Sequence, residues 1–182
     1  RSVSIDQDTL VVGALYEDSN QSTITNGTTA STNNGASRSG AVYVYKKTSS
    51  TWAQEAYIKA ANSASSDDFG YSISIDQDTI VVASPYEDSG QNTITNGTTA
   101  PTDTTAPEAG AVYVYKRTGS TWAQEAYIKA ANSDAIDYFG MGGLSVDQDT
   151  IAGGATHEDS SQNTITNGTT ASTNNDASQS GA

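Results

Sequence analysis

An all-β fold of short antiparallel strands is predicted by a long internal repeat and by the apolar pattern inside each copy. The segments "SIDQDTLVV", "SIDQDTIVV" and "SVDQDTIAG" begin at Ser4, Ser74 and Ser145, a spacing of 70 and then 71 residues. "TWAQEAYIKAANS" also recurs 70 residues apart. Such a period indicates an architecture built from one repeated supersecondary unit. The chain is therefore predicted to divide into two repeats and part of a third, at 1–70, 71–140 and 141–182.

Four strands are predicted in each complete repeat. In the second repeat, "SISI" alternates polar and apolar residues, and Asp76-Gln77-Asp78 then forms a tight turn into "TIVVA". A long polar segment separates this hairpin from "AVYVYK", and a short turn leads to "WAQEAYIKA". The predicted strands are 72–75, 79–83, 111–116 and 122–130.

The apolar pattern of these strands predicts sheets that are covered on both faces. "TIVVA" is nearly continuous in its apolar character, and both faces of "AVYVYK" are largely apolar. Charges occur in the last strand, where they suit an outer edge that must not pair with stray strands. We therefore predict antiparallel four-stranded blades of a β-propeller. About two and a half repeats of roughly 70 residues make the propeller open or partial, since four to eight blades are usual.

Several motifs give the chain a resemblance to a known family. Phe69-Gly70 precedes a strand, "VVGA" lies at 11–14, and "GAVYVY" lies at 40–45. The chain resembles the FG-GAP repeats of integrin α-subunit propellers and their bacterial relatives. The later copies depart from the Gly-Ala-Pro motif, because the second reads "VVASPYEDS" and the third "AGGATHEDS". The resemblance implies a propeller fold and a role in adhesion.

Calcium binding is implied by the integrin branch of that family, in the loop after Phe-Gly. The loop here is short, and its fifth position is Leu10, Ile80 or Ile151 where an oxygen ligand is needed. We therefore expect the aspartates to cap the hairpin by bonding their own backbone, with calcium as the alternative. The calcium candidates are Asp6, Asp8, Asp76, Asp78, Asp147 and Asp149.

A second acidic pair follows the inner hairpin in every repeat. These pairs are Glu17-Asp18, Glu87-Asp88 and Glu158-Asp159. We expect them to line a solvated loop mouth, with a shared site between blades as the alternative.

The long polar loop of each repeat contains "TITNGTT". Asn-Gly is a strong turn dipeptide and its neighbours favour strands, so the heptapeptide is predicted to form a small hairpin that projects from each blade. The Asn-X-Ser/Thr pattern also makes some of these asparagines candidates for N-glycosylation. The glycosylation candidates are Asn20, Asn26, Asn96 and Asn167.

Residues for catalysis are few, so no enzyme is predicted. The chain has no cysteine, and its single histidine, His157, takes the place of Tyr16 and Tyr86 in the other repeats. We therefore expect His157 to be a substitution at a surface position that is tyrosine in the other two repeats. Each acidic pair recurs in every repeat, whereas an active site would normally occur once. No catalytic or cofactor-binding residue is assigned.

Two tryptophans and two tyrosines recur at fixed positions of the last predicted strand. A sugar-stacking platform is one interpretation of such aromatic residues, but their fixed place in the repeat favours packing between blades. The four residues are Trp52, Tyr57, Trp122 and Tyr127.

The net charge limits the partners. Eight Lys and Arg against 21 Asp and Glu give −13, which disfavours phosphate backbones and anionic membranes. No apolar run reaches membrane-spanning length, and the lack of cysteine excludes disulfides and thiolate metal sites. We therefore expect no nucleic-acid partner and no membrane insertion.

The function expected from these features is that of a non-enzymatic structural or adhesion module, extracellular or on the cell surface. The third repeat stops before its "VYVY" strand, so both ends are expected to present surfaces that match another blade. One alternative is therefore a subunit of a glycosylated extracellular fibre that self-associates end to end. A second alternative is a calcium-dependent propeller segment. A protein or a glycan is the expected class of ligand.

Overall fold

All the strands of the described structure belong to antiparallel sheets, which long loops connect. The computed structural model describes residues 2–182, and Arg1, the first residue of the first predicted repeat, lies outside the described residues. Within 2–182 the chain forms twelve strands and no helix. The strands belong to three separate sheets that succeed one another along the sequence and do not close into a ring. The predicted all-β antiparallel class is confirmed.

The first two sheets have the same five-stranded plan. The first sheet contains β1 (Ser2–Asp6), β2 (Thr9–Ala14), β3 (Thr25–Asn26), β4 (Ala41–Thr48) and β5 (Thr51–Ile58). The second contains β6 (Ile73–Asp76), β7 (Thr79–Ser84), β8 (Ile94–Asn96), β9 (Ala111–Thr118) and β10 (Thr121–Ile128). The third contains β11 (Phe139–Asp147) and β12 (Thr150–Ala155). The spatial order is β1-β2-β4-β5-β3 in the first sheet and β6-β7-β9-β10-β8 in the second, so a strand from the long loop, β3 or β8, forms one edge of each.

The tight turn between the first two strands of each repeat is confirmed. Gln7, Gln77 and Gln148 all take a left-handed backbone, with φ of 50°, 50° and 51°. This conformation suits the two-residue hairpin turns whose twist matches that of the strands.

The heptapeptide "TITNGTT" does not fold on itself, so the predicted projecting hairpin is wrong. Instead β3 and β8 extend the sheets by pairing with β5 and β10. Gly97 N donates to Glu125 O at 2.6 Å, and Gly27 N makes the same bond to Glu55 O. Pairing with a long neighbouring strand satisfies backbone groups that a two-residue arm would leave free. Ala126–Ile128 of the last strand is therefore not an outer edge.

One apolar core joins the first two sheets. Val11, Val44 and Ile58 from the first sheet pack with Ile75 and Ile80 from the second. Every residue of β7 is buried, as the continuous apolar run predicts. In β2 burial alternates with partial exposure, because only one face of the first sheet is covered within residues 2–182. The sheets therefore stabilise one another through their faces.

The Phe-Gly pair connects consecutive sheets. Phe69 is fully buried, and its ring packs edge-on against Tyr113 and Tyr115, with centroids 5.3 and 6.1 Å away. Gly40 bridges to the Phe69 backbone at φ +77°, and a Cβ on Gly40 would lie 2.1 Å from Phe69 O. A larger residue at Gly40 would therefore force the two sheets apart.

Candidate functional site between successive repeats

Polar side chains on β1 and β6, the first strands of the first two sheets, bond to the backbone of the next sheet. At the first junction, Ile75 N donates to Ser4 Oγ at 3.2 Å and Gln77 N donates to Asp6 Oδ2 at 2.8 Å. The second junction repeats the arrangement, with Val146 N to Ser74 Oγ at 3.2 Å and Gln148 N to Asp76 Oδ2 at 2.8 Å. The alternating polar residues of "SISID" are therefore acceptors for the following repeat.

Four of the six calcium candidates take part in these junctions or in ion pairs. Asp6 and Asp76 bond the neighbouring turn, so the expectation that they cap their own backbone is wrong. Asp8 forms an ion pair with Lys46, whose hydrogen bond lowers the pKa of that carboxyl. Asp78 binds Arg117 at 2.7 Å. Asp147 and Asp149 are exposed. Across residues 2–182 no three His, Cys, Asp or Glu side chains are grouped to hold a metal ion.

Two glutamates of the second acidic pairs, Glu17 and Glu87, are held in ion pairs, and the third, Glu158, is buried. The solvated loop mouth expected for the pairs is therefore wrong at their glutamates. Lys129 Nζ lies 3.0 Å from Glu87 Oε2, and the two residues are 4% and 2% exposed. Lys59 Nζ makes the equivalent bond to Glu17 Oε2 at 3.0 Å. Burial lowers the pKa of both lysines, and their glutamates oppose that shift. Each ion pair therefore connects the end of β5 or β10 to the segment that follows β2 or β7.

The aspartates of the same pairs fix the far end of the long loop. Each accepts a hydrogen bond from a backbone N–H 20 residues later. The bonds are Arg38 N to Asp18 Oδ1 at 2.7 Å, Glu108 N to Asp88 Oδ1 at 2.9 Å and Gln179 N to Asp159 Oδ1 at 2.5 Å. The "EDS" motif is thus an anchor for the loop, which sequence reasoning missed although the motif recurs in every repeat.

The polar loops themselves are internally hydrogen-bonded. Ser89 Oγ donates to Asp103 Oδ2 at 2.8 Å, and Gln91 Nε2 donates to Thr93 O at 2.8 Å and to Thr95 Oγ1 at 2.7 Å. Gln21 and Gln162 make the corresponding pairs of bonds in the other repeats. Side-chain bonds to nearby backbone account for the Ser, Thr, Asn and Gln content of these loops.

Asn26 links the heptapeptide of the first repeat to the second sheet. Its Oδ1 accepts from Trp122 N at 2.8 Å, and its Nδ2 donates to Trp122 O at 3.3 Å. Asn26 is exposed, as are the other glycosylation candidates, Asn20, Asn96 and Asn167. The side-chain nitrogen that would carry a glycan at Asn26 is therefore engaged in a contact between repeats.

Trp122 packs between the sheets, as its fixed position in the repeat predicts. It is 1% exposed, and its indole Nε1 donates to Glu55 Oε2 at 2.9 Å. Arg117 Nη1 lies 3.1 Å from the same carboxylate oxygen, with its guanidinium 5.2 Å from the centre of the indole. Trp52, at the equivalent place in the first sheet, is 43% exposed because no other sheet within residues 2–182 faces it. Tyr57 and Tyr127 are fully buried.

His157 lies against an aromatic side chain. Its ring meets Tyr138 edge-on with centroids 4.9 Å apart, and Tyr86 packs on Tyr138 at 5.4 Å. This aromatic row fits a packing role for Tyr86 and His157, whereas Tyr16 at the same position is 64% exposed.

Two buried aspartates escaped the sequence analysis. Asp67 and Asp137, both 3% exposed, each precede the Phe of a Phe-Gly pair by two residues. Burial raises the pKa of Asp67 to about 8, against a hydrogen bond from Ala64 N at 2.8 Å. Burial also raises the pKa of Asp137 to about 6. Their recurrence at a spacing of 70 residues was the available signal.

An acidic cleft of about 360 Å³ opens between the loops of the first two repeats. Asp67 and Asn62 line one side, and Glu87, Asp88 and Asp103 line the other. Asn62 Nδ2 donates to Glu87 Oε1 at 2.9 Å and to Pro101 O at 2.8 Å, so it also connects the repeats. The cleft is therefore part of the junction.

The fold and the junctions together define a β-propeller-type repeat protein. Residues 52–115 match the model of the FG-GAP repeat family, which confirms the resemblance over that stretch. The matched stretch begins in β5 of the first sheet and ends in β9 of the second, so it contains the Phe69-Gly70 connection. No curated protein matches the chain significantly. Within residues 2–182 no helix is long and apolar enough to span a membrane.

Proposed function

We propose that this chain is a non-enzymatic, extracellular or cell-surface module of the FG-GAP β-propeller type, with a structural or adhesive role. The observation that carries the proposal is the identical junction at two successive steps, where Asp6 bonds Gln77 N and Asp76 bonds Gln148 N. A junction that repeats in this way builds a stiff array of repeats, and this array presents its loops to solvent. The FG-GAP match over 52–115 supports the same class.

The roles of the acidic residues support a non-enzymatic function. The recurring carboxylates of Glu17, Glu87 and Asp78 are partners of Lys59, Lys129 and Arg117. Ion pairs of this kind hold each repeat together. The exposed surface that remains is rich in loop hydroxyls and amides, which suits recognition of a protein or a glycan.

The test of location and of adhesion uses an antibody raised against the purified chain. We expect it to label intact cells that produce the protein, and we expect its Fab fragment to reduce attachment of those cells to a surface. Labelling that requires permeabilised cells would contradict the extracellular location. Surface labelling with unchanged attachment would reject adhesion and leave the structural role.

End-to-end self-association is a second candidate, favoured by the exposed face of β1. Val3 and Ile5 on this strand are 67% and 61% exposed. At the internal junctions the equivalents of Ile5 and Gln7 donate backbone N–H groups to a Ser and an Asp of the preceding repeat. Ser145 and Asp147 on β11 are exposed acceptors of the same kind. A head-to-tail contact of this kind that does not close gives a fibre.

Electron microscopy and sedimentation test this self-association. We expect filaments at high protein concentration, lost in Asp147→Lys and retained in Asp149→Lys, which changes a neighbouring exposed carboxylate by the same charge. Discrete monomers at every concentration would reject the fibre. Intact-mass measurement before and after deglycosylation tests whether such a fibre carries sugar at Asn20, Asn96 or Asn167.

A further inference from the structure

Three polar side chains meet where the first repeat joins the second, beside the acidic cleft. Glu87 Oε2 accepts a hydrogen bond from Lys129 Nζ at 3.0 Å, and Glu87 Oε1 accepts one from Asn62 Nδ2 at 2.9 Å. Asn62 follows β5 of the first sheet, whereas Lys129 follows β10 of the second. One carboxylate therefore holds an amide of the first repeat and an amine of the second.

Lys129 is buried with few hydrogen-bond partners. Its side chain is 0% exposed, and within residues 2–182 its Nζ makes one hydrogen bond, to Glu87. The equivalent Lys59 has two further acceptors, Ser39 Oγ at 2.7 Å and Gly40 O at 2.5 Å, and the second repeat has alanine in place of that serine. An ammonium group carries three donors, so burial beside a single acceptor favours the neutral amine, which is the nucleophilic form. Burial accordingly lowers the pKa of Lys129.

Tyr113 polarises the side-chain carbonyl group of Asn62. The Tyr113 hydroxyl, on a fully buried residue, donates to Asn62 Oδ1 at 2.6 Å. The bonds that Asn62 Nδ2 donates to Glu87 Oε1 and to Pro101 O fix which end of the amide is the nitrogen. A donor held on a carbonyl oxygen stabilises the negative charge that develops there when a nucleophile attacks the carbon. The amide is therefore activated at its oxygen and held at its nitrogen.

We propose that Lys129 and Asn62 form an amide bond that cross-links the first two repeats. The ion pair of Lys129 with Glu87 is the state before the reaction. Nζ first gives one proton to Glu87 and then attacks Asn62 Cγ. As the Nζ–Cγ bond forms, Glu87 relays a second proton from Nζ to Nδ2, the Cγ–Nδ2 bond breaks and ammonia leaves. The products are the cross-link, one ammonia molecule and a neutral Glu87, so no other reactant is needed.

The fold removes the two obstacles that keep amides and amines from reacting in water. In water the amine is protonated and the two groups seldom meet. At this junction one carboxylate holds both groups, and the amine is shielded from solvent. Such positioning turns a bimolecular step into an intramolecular one. The product joins consecutive repeats covalently, in addition to the hydrogen bonds of Ser4 and Asp6.

The other copies of these residues form incomplete sets. Lys59 is paired with Glu17, but no asparagine side chain within residues 2–182 bonds that glutamate. Asn132 Nδ2 donates to Glu158 Oε1 at 2.7 Å, but no lysine in the described part of the chain pairs with that glutamate. One cross-link is therefore predicted in this chain, and the incomplete sets provide controls.

Mass spectrometry of the purified, denatured chain tests the proposal. After incubation near neutral pH, we expect the intact mass to be lower than the mass of the sequence by one ammonia molecule. Three Asn-Gly pairs can lose ammonia by ring closure on their own backbone, so the mass alone does not locate the reaction. Those pairs begin at Asn26, Asn96 and Asn167.

A tryptic digest locates the reaction. Trypsin cleaves after a lysine only when its amine is free, so the cross-link removes the cut after Lys129. We expect residues 60–116 and 118–182 to be recovered as one branched peptide. Ring closure at Asn-Gly leaves the peptides 60–116, 118–129 and 130–182 separate.

Variants with matched controls assign the roles. We expect no cross-link in Asn62→Ala or Glu87→Gln and a normal cross-link in Asn132→Ala. Tyr113→Phe, which keeps the buried ring, should slow the reaction at least about 100-fold, as loss of one such donor does in other enzymes, while the equivalent Tyr43→Phe should not. Near-UV circular dichroism checks that each variant is folded. If Glu87→Gln does not fold, the two tyrosine variants decide the test.

Two outcomes would overturn the proposal. The first is an intact mass equal to that of the sequence after long incubation of the folded chain. The second is a loss of ammonia with the peptide 118–129 still released by trypsin, which would assign the loss to an Asn-Gly pair.

Discussion

Asn26 and Asn96 occupy the same place in identical heptapeptides, yet only Asn26 bonds the backbone of another repeat. The difference arises because β10, which carries Trp122, faces Asn26 across the junction, while no equivalent strand faces Asn96 within residues 2–182. Asp6 and Ser4 likewise gain their roles from the next repeat. The same residue type is therefore structural or free according to what lies beside it.

Asn26→Ala should destabilise the chain, whereas Asn96→Ala should have little effect. Loss of the Asn26 side chain leaves the backbone N–H and C=O of Trp122 without these partners, at a cost of about 1–3 kcal/mol. Urea unfolding of both variants measures the difference. Equal loss of stability in the two would show that the contact with Trp122 is not what holds the junction.

Asp67→Asn should stabilise the protein in alkaline solution and have less effect in acid. The folded-state pKa of Asp67, about 8, lies above the usual value of about 4, so the folded state holds a proton that the unfolded state has lost. The stability from this group is full below about pH 4 and is lost as the pH rises through about 8. Asn keeps an oxygen to accept from Ala64 N.

Urea unfolding at about pH 5 and about pH 9 tests this prediction. We expect a gain of about 1–3 kcal/mol at the higher pH and a smaller change at the lower. Asp149→Asn, at an exposed aspartate, is the control. An effect of Asp67→Asn that does not depend on pH would contradict the prediction.

The last long strand of each complete repeat is held at its end by an ion pair to a segment far away in the same repeat. The last long strand of each complete repeat is followed by a buried lysine, which meets a glutamate 42 residues earlier in the chain. The short strands β3 and β8 cover the outer side of the same strands. Both devices protect the edge at which a sheet would otherwise accept stray strands.

Lys129→Met should be strongly destabilising, because Glu87 would stay buried without its cation. The expected loss is about 3–5 kcal/mol for one partner of a buried pair. Replacing both residues, as Lys129→Met with Glu87→Leu, should cost less than the sum of the two single changes. A double-mutant cycle in urea gives the coupling. Additive effects would show that the ion pair does not couple the strand to the loop.

Strands with an apolar period were predictable, whereas contacts between distant segments were not. β7 and β9 lie within one or two residues of their predicted bounds, because apolar runs carry the signal. The short β8 was missed as a sheet strand because its partner, Ala126–Ile128, lies about 30 residues away in sequence. Burial of Lys129 was missed for the same reason, since its charge indicates an edge until Glu87 is placed beside it.

Ion pairs within and between the repeats offset part of the large negative charge of the chain. The chain has eight Lys and Arg against 21 Asp and Glu, and several of these cations form ion pairs with buried or half-buried carboxylates. The candidate residues Asp8 and Asp78 are among those paired. The remaining acidic residues are dispersed over the surface and the clefts.

Calcium should not change the stability of the chain. Asp8 and Asp78 already bind Lys46 and Arg117, and a calcium site needs six to eight oxygen ligands. Thermal unfolding with millimolar calcium and with a chelator should therefore give the same Tm. A rise in Tm with calcium, absent with the same concentration of magnesium, would establish a calcium site and revive the calcium-dependent alternative.

The junction built from Ser4 and Asp6 has a direction, since side-chain acceptors of one repeat meet backbone donors of the next. A unit that is duplicated or deleted as a whole brings one acceptor row and one donor row with it, and every remaining junction is unchanged. The length of such an array can therefore vary between generations by unequal recombination without compensating mutations. Backbone donors are present whatever the side chain, so sequence drift in the following repeat leaves the junction intact.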